Sequence, residues 1–208
     1  MNKAVTALSA LALCLSLAAP ARAEKGEFQH YLGAGLYLPW NISTNNMTYA
    51  TVYSLMVAGQ TFFGVSDNFD VGLQLDWSYF DGGNVNNYQQ GDVKGTLWYD
   101  YQRWGVLALV RWNWLPGYSV APHFYAGAGC VIDKFTDQKL VSDIVTKNFP
   151  DYVQADWMVQ GGIDLTWRFW WHLLFKIDAN YTYSPISSGV ALMGWFGIDW
   201  YVNTAGMW

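Results

Sequence analysis

The sequence predicts an all-β fold, an eight-stranded antiparallel up-and-down transmembrane β-barrel. Three observations predict it. Aromatic residues make up 18% of the chain and charged residues only 13%, about half the ~25% charge usual in soluble domains. Beyond residue 23 no apolar run approaches the ~18 residues that a spanning helix requires. Apolar and polar residues instead alternate singly over eight segments, the period of a strand whose two faces meet different surroundings. In lipid only helices and closed barrels satisfy every backbone N–H and C=O, so the composition and the period together point to a barrel.

The N-terminus is set aside first. Lys3, the uncharged apolar run Ala4 to Ala19, Pro20 and the small-residue site Ala21-Arg22-Ala23 have the three-part layout of a cleaved secretory signal peptide. Residues 1–23 are read as signal peptide and 24–208 as one barrel domain. The apolar run is short for a membrane helix. Leu11-Ala12-Leu13-Cys14 makes a poor lipoprotein site, because Leu13 is bulky and a cut there would leave almost no hydrophobic region. Cys130 then remains alone, which excludes an internal disulfide and reads as a small buried or lipid-facing residue. Without Lys3 and Arg22, nine basic residues stand against sixteen acidic ones, which argues against nucleic acid as a partner.

The strands follow in order. HYLGAGLYL (30–38) turns Leu32, Ala34, Leu36 and Leu38 one way, and Tyr31, Gly33, Gly35 and Tyr37 the other. TVYSLMVAGQTFF (51–63) puts Tyr53, Leu55, Val57 and Phe63 together, opposite a face that is itself partly apolar. FDVGLQLDWSYF (69–80) sets its odd positions, Phe69 to Tyr79, against Asp70, Gln74, Asp76 and Ser78. WGVLALVRWNW (104–114) sets Trp104, Val106, Ala108, Val110, Trp112 and Trp114 against Arg111 and Asn113. VAPHFYAGAGCVID (120–133) sets Phe124, Ala126, Ala128, Cys130 and Ile132 against His123, Tyr125 and Asp133. VQADWMVQGGIDLTW (153–167) sets Trp157, Val159, Ile163, Leu165 and Trp167 against Asp156, Gln160, Asp164 and Thr166. HLLFKIDANYTY (172–183) sets Leu173, Phe175, Ile177, Ala179, Tyr181 and Tyr183 against Lys176, Asp178 and Asn180. VALMGWFGIDWYV (190–202) sets Leu192, Phe196, Ile198 and Trp200 against Trp195, Asp199 and Tyr201.

The connections alternate in length. Residues 65–68, 115–119 and 169–171 are short turns, whereas 40–47, 81–94 and 134–152 are longer and polar; 185–188 is shorter. Short periplasmic turns and longer extracellular loops are the layout of outer-membrane barrels. Aromatic spacing decides between lipid and a soluble core. Trp104 and Trp114, Trp157 and Trp167, Phe69 and Tyr79, and Tyr53 and Phe63 each lie ten residues apart on one face. A tilted strand crosses a bilayer in about 9–11 residues, and rings settle at both interfaces. Trp77, Trp104, Trp112, Trp114, Trp157, Trp167, Tyr183 and Trp200 are assigned to an aromatic girdle, and Asp76 to the lumen. The expected partners are the lipid bilayer and lipopolysaccharide.

HYLGAGLYL and APHFYAGAGCVI look like the aromatic-x-Gly-x-Gly strands, and GWFGIDWYV like the closing strand, of a known group. The chain resembles the small eight-stranded outer-membrane barrels of Gram-negative bacteria, of the OmpA and OmpX kind, over residues 28–202. The resemblance implies residence in the cell outer membrane and a terminal residue, Val202 or Trp208, read by the outer-membrane assembly machinery. No peptidoglycan-binding domain is expected after the barrel.

The inward faces carry Asp70, Asp76, Arg111, His123, Asp164, Lys176, Asp178 and Asp199, with Asp133 and Asp156 beside them. An eight-stranded barrel is only wide enough for side chains to fill, and its buried charges must pair. These residues are read as a structural plug, with Arg111 and Lys176 pairing aspartates. Lipid A deacylase-like barrels place a serine and a histidine two positions apart on one strand, as a nucleophile and its base require; His123 has no such serine. No catalytic residues, metal site or cofactor are assigned, since scattered histidines lack ligand spacing. Leu140, Val141, Ile144, Val145 and Phe149 in the third long loop stand at helical spacing, as a short helix or a strand extension, and are the candidate contact with another envelope protein. The function expected is non-enzymatic: structural, adhesive or within an envelope complex. A lipid A-modifying enzyme and a small passive channel are the alternatives; an exported lipocalin-like barrel is the soluble one.

Overall fold

The computed structural model describes residues 25–44, 47–49, 53–116, 118–170 and 172–201. The signal peptide expected over 1–23 and the terminal residues Val202 and Trp208 lie outside the described residues. The described elements are all strands: β1 (Glu27–Thr44), β2 (Met47–Tyr49), β3 (Ser54–Gly64), β4 (Phe69–Gln90), β5 (Val93–Asn113), β6 (Val120–Val141), β7 (Thr146–Asn148), β8 (Tyr152–Trp170), β9 (Leu173–Tyr183) and β10 (Ser187–Tyr201).

Eight of them form a closed antiparallel ring in the order β1-β3-β4-β5-β6-β8-β9-β10. The ring closes where β10 pairs β1, from Glu27 opposite Tyr201 to Ile42 opposite Ser187. Every predicted strand is present, and each faces as its alternation requires. Leu32, Leu73 and Phe196 stand 76%, 61% and 68% exposed outside, while Tyr31, Asp76 and Trp195 are buried inside. Cys130 faces outward.

Three strands run well past their predicted ends. The polar segment 81–94 is the upper part of β4 and β5, joined by a tight turn at Gly91, whose φ of 61° lies in the left-handed region. Two register shifts, between Phe80 and Gly83 and between Val85 and Tyr88, break the alternation there. A bulge reverses which face each following residue takes, so an Asn- and Gly-rich stretch with two bulges has a loop's sequence on a strand's backbone. Similarly, 134–141 continues β6, and 146–148 folds back on it as β7. The segment 140–149 is thus a strand extension rather than a helix.

Above the ring these extensions form a projecting sheet, β4-β5-β6-β7. Its inner side buries Ile42, Leu97, Tyr99, Tyr101 and Phe135, with Phe80, Tyr88, Phe149 and Tyr152 packed around them. A second apolar cluster, including Tyr31, Phe62, Leu109 and Trp195, lies inside the barrel.

Candidate functional site

The lumen carries the chemistry. Asp70, Asp76, Arg111, His123, Asp164, Lys176, Asp178 and Asp199 all point into it and are buried. Alternation does this: each sits between two outward apolar neighbours on a strand whose successive side chains take opposite faces.

At the short-turn mouth, Arg168 ion-pairs with Glu27 and with Asp199 (2.5 Å), and His172 Nδ1 lies 2.7 Å from Asp199 Oδ1. This cluster ties the first strand, the last strand and the β8–β9 turn together. One layer up, Arg111 Nε donates to Asp70 Oδ2 at 2.8 Å, Nη2 lies 2.6 Å from the same oxygen as an ion pair and donates to Gln29 at 2.5 Å, and the guanidinium lies 4.0 Å from the Phe62 ring centre. His123 Nδ1 lies 2.6 Å from Asp164 and 3.4 Å from the Thr166 hydroxyl. Both neighbours address the same ring nitrogen, so this trio is not a nucleophile–base–acid relay. The inward hydroxyl of Ser78 is distant from this trio: Ser78 pairs Arg103, ten residues along β5 from Asn113, which pairs His123.

At mid-height a polar crossbar spans the bore. Lys176 Nζ donates to Gln60 Oε1, Gln60 donates to Gln74 at 2.5 Å, and Gln74 Nε2 donates to Asp76 at 3.0 Å and to Gln160 at 3.1 Å. The Lys176 ammonium sits over the Tyr31 and Trp195 rings, 4.4 and 4.3 Å from their centres. The expected pairing of Lys176 with an aspartate does not form among the described residues. Gln60 and two ring faces hold the cation instead. Asp178 is held by the Tyr125 hydroxyl and, at 2.7 Å, by Asn180.

Near the top, Arg103 is buried against Tyr37, Ser187 and Met158, and Tyr101 donates to Asp133. Sequence reading missed Arg103, although its place beside outward-facing Trp104 would have found it. It also missed Glu27 and Arg168, which lie outside the alternating segments. The filling is as much aromatic as charged: Trp195, Tyr31, Tyr37, Tyr101 and Phe62 are among the largest fully buried side chains. Among the described residues no cluster of His, Cys, Asp or Glu could hold a metal.

Trp104, Trp112, Trp114, Trp157, Tyr183 and Trp200 stand outward and exposed, with Trp77 and Trp167 half-buried beside them. Trp77 touches Trp104 and Trp157 touches Tyr183 in one row; Trp112 and Trp114 touch Phe124, and Trp200 stacks on Phe28, in the other. The loop residues separate. Leu140 is buried and Phe149 packs into the upper cluster, whereas Val141, Val145 and Ile144 are exposed, Ile144 at 96%.

A closed eight-stranded antiparallel ring with an apolar outside and a polar inside has the fold of the small outer-membrane β-barrels. Solved structures agree. OprG from Pseudomonas aeruginosa is similar with a TM-score of 0.57 and 16% identity, over 86% of this chain and 98% of that one. Ail, the attachment invasion locus protein of Yersinia pestis, is similar with a TM-score of 0.54 and 11% identity, over 85% and 99%. At these identities the likeness concerns the fold. No protein-family model matches the chain, and no curated protein matches it.

Proposed function

We propose that this is an integral outer-membrane barrel, exported by a cleaved signal peptide, whose work is non-enzymatic and done by its projecting sheet. The sheet offers a contact site for an envelope or external protein, in an adhesive or complex-forming role. One observation carries this reading: β4, β5, β6 and β7 continue beyond the ring as a sheet that, among the described residues, leaves a strand edge and apolar side chains uncovered. Among the described residues, β3 accompanies β4 only as far as Tyr79, so β4 beyond it has no partner on that side. Trp98, Val141, Val145 and Ile144 are exposed on the same sheet. Uncovered edges and apolar patches are where strands pair with other chains.

Membrane residence is supported by the outward wall. Soluble proteins seldom expose contiguous apolar patches beyond a few hundred Å², and here Leu32, Leu36, Leu55, Leu73, Leu75 and Phe196 are all more than half exposed. The ten residues from Trp104 to Trp114 cover ~33 Å of strand, or ~25 Å across a wall tilted by ~40°, the height of an outer-membrane apolar band.

A conducting role finds no support. The crossbar and the rings around Lys176 lie across the middle of the bore, with the upper aromatic cluster above them, which favours a filled lumen over a channel. The test is extraction of native membranes in gentle detergent, with size analysis and identification of co-purifying proteins. A stable assembly that is lost when Ile144 and Trp98 become glutamate is the expected result. A lone barrel, together with altered lipid A acylation on deletion, would replace this reading with the enzymatic one. Recovery without detergent would overturn the membrane reading.

A further inference from the structure

One wall of the exterior carries a groove that neither the lumen nor the projecting sheet explains. Near the short-turn end, a cavity of about 850 Å³ is lined by His30, Thr61, Leu32, Gly59, Leu73 and Phe196, among others. A second, of about 520 Å³, shares Leu32, Gly59, Leu75 and Val106 with it and ends against Trp77 and Trp104. The two make one continuous channel up the outside of β1, β3 and β4. From Thr61 to Val57, which pairs Trp77, the channel follows four residues of β3, or ~13 Å.

Gly59 keeps the groove open. A Cβ added there would meet only Leu32 Cδ2 at 3.7 Å and the Tyr31 carbonyl at 3.9 Å, both ordinary contacts. The backbone does not require a glycine either, since Gly59 is not among the positive-φ residues. Inward-facing Gly197 differs, because its added Cβ would lie 2.5 Å from the Tyr31 ring. Glycine inside a strand lowers its stability and marks places where another group approaches closely.

The polar end sits at a definite depth. His30 Nδ1 and Thr61 Oγ1 are 3.0 Å apart on the outward face, one step inside the row formed by Phe28, Phe63 and Trp200. The His30 ring lies beside the stacked Phe28 and Trp200 rings and nearly parallel to both, with centres 6.2 and 6.0 Å away. With Nδ1 engaged by Thr61, Nε2 remains to meet a group from the lipid side. Lys25, exposed two residues before β1 begins, lies further toward the periplasm. An ester layer against His30–Thr61 and a phosphate toward Lys25 follow the order of groups down a phospholipid.

We propose that this wall seats one glycerophospholipid of the periplasmic leaflet. Its acyl chain lies in the groove past Gly59, and one glycerol ester carbonyl accepts the hydrogen bond that the His30–Thr61 pair has left to donate. The proposal rests on the outer-membrane reading above. The short-turn position of the polar end selects the phospholipid leaflet over the lipopolysaccharide leaflet.

The test is native mass spectrometry of the full chain, purified from membranes and washed with increasingly delipidating detergent. Wild type is expected to keep one phospholipid adduct after bulk lipid is removed. Gly59→Leu fills the groove and should lose it. Thr61→Val keeps the shape but removes the hydroxyl, and should shed the adduct at a milder wash; it also decides the matter if Gly59→Leu does not fold. A wild type without an adduct, an adduct unchanged in the variants, or retained lipopolysaccharide instead would each overturn the proposal. Outer-membrane recovery with no adduct defeats the lipid site alone, whereas recovery without detergent defeats the membrane reading beneath it.

Discussion

Replacing Arg111 by methionine tests whether the lumen is held by specific pairs or merely filled. Arg111 and Asp70 have side-chain exposures of 0% and 3%, so water screens neither. The substitution removes the Nε donor to Asp70 Oδ2 at 2.8 Å, the 2.6 Å ion pair to the same oxygen, and one of two donors to Gln29, which keeps the Tyr31 hydroxyl at 2.8 Å. An exposed pair is worth about 0–1 kcal/mol. Breaking a buried one costs about 3–5 kcal/mol, because a carboxylate is left uncompensated in a low dielectric. The expected loss for Arg111→Met is therefore about 4 kcal/mol. The double variant Arg111→Met/Asp70→Leu should return to within about 1 kcal/mol of wild type, since no charge remains to be stranded. The assay is urea unfolding of the detergent-refolded barrel by tryptophan fluorescence, extrapolated linearly. A single-variant loss below about 1 kcal/mol, or a double variant no better than the single, would refute a pair-locked lumen.

Other perturbations separate the remaining parts. Arg168→Ala removes the guanidinium that Glu27 and Asp199 share at the seam between first and last strands, leaving Asp199 with His172; a loss of about 3 kcal/mol and earlier unfolding on semi-native gels are expected, and unchanged melting would deny the cluster its closing role. Leu97→Ala in the fully buried upper cluster should cost about 2–5 kcal/mol and raise amide exchange in β5 above Trp104 more than below it. Purified protein in a planar bilayer should show no steady conductance, and a reproducible open level would contradict the filled bore. Asp81, on the projecting hairpin, has its carboxyl pushed above the usual range, first by a hydrogen bond with Asp100 and then by that neighbour's charge. A carboxyl raised by folding stabilises its protonated form, so the hairpin should be tightest in acid and loosen as pH climbs from the ordinary ~3.9 through the raised value. Amide exchange at Gly82, whose N–H donates to Asp100 at 3.0 Å, reads this, and Asp81→Asn should flatten the profile.

Much of the molecule is legible in the sequence. A strand's period is two whatever it packs against, so alternation alone assigned Leu75 outward and Asp76 inward. Ring spacing set against bilayer thickness makes lipid the expected surroundings of the outer side. The upper halves of β4, β5 and β6 were not legible, because two bulges reverse the alternation and their Asn, Gln and Gly residues are those of turns. Nor could the partners of the lumen charges be read. Inward pointing is a property of one residue and its neighbours in the chain. Whether Lys176 meets an aspartate or Gln60 depends on which strands face each other across the bore and at what stagger. Arg168 reaches Glu27 across 141 residues of sequence, and the groove past Gly59 is shaped by residues from several strands. The sequence by itself determined the two faces of each strand, the number of crossings and the end that carries short turns, all set by local backbone geometry. Only the tertiary structure decided the pairings, the crossbar, the upper cluster and the groove, because each is made where the closed ring brings distant strands together.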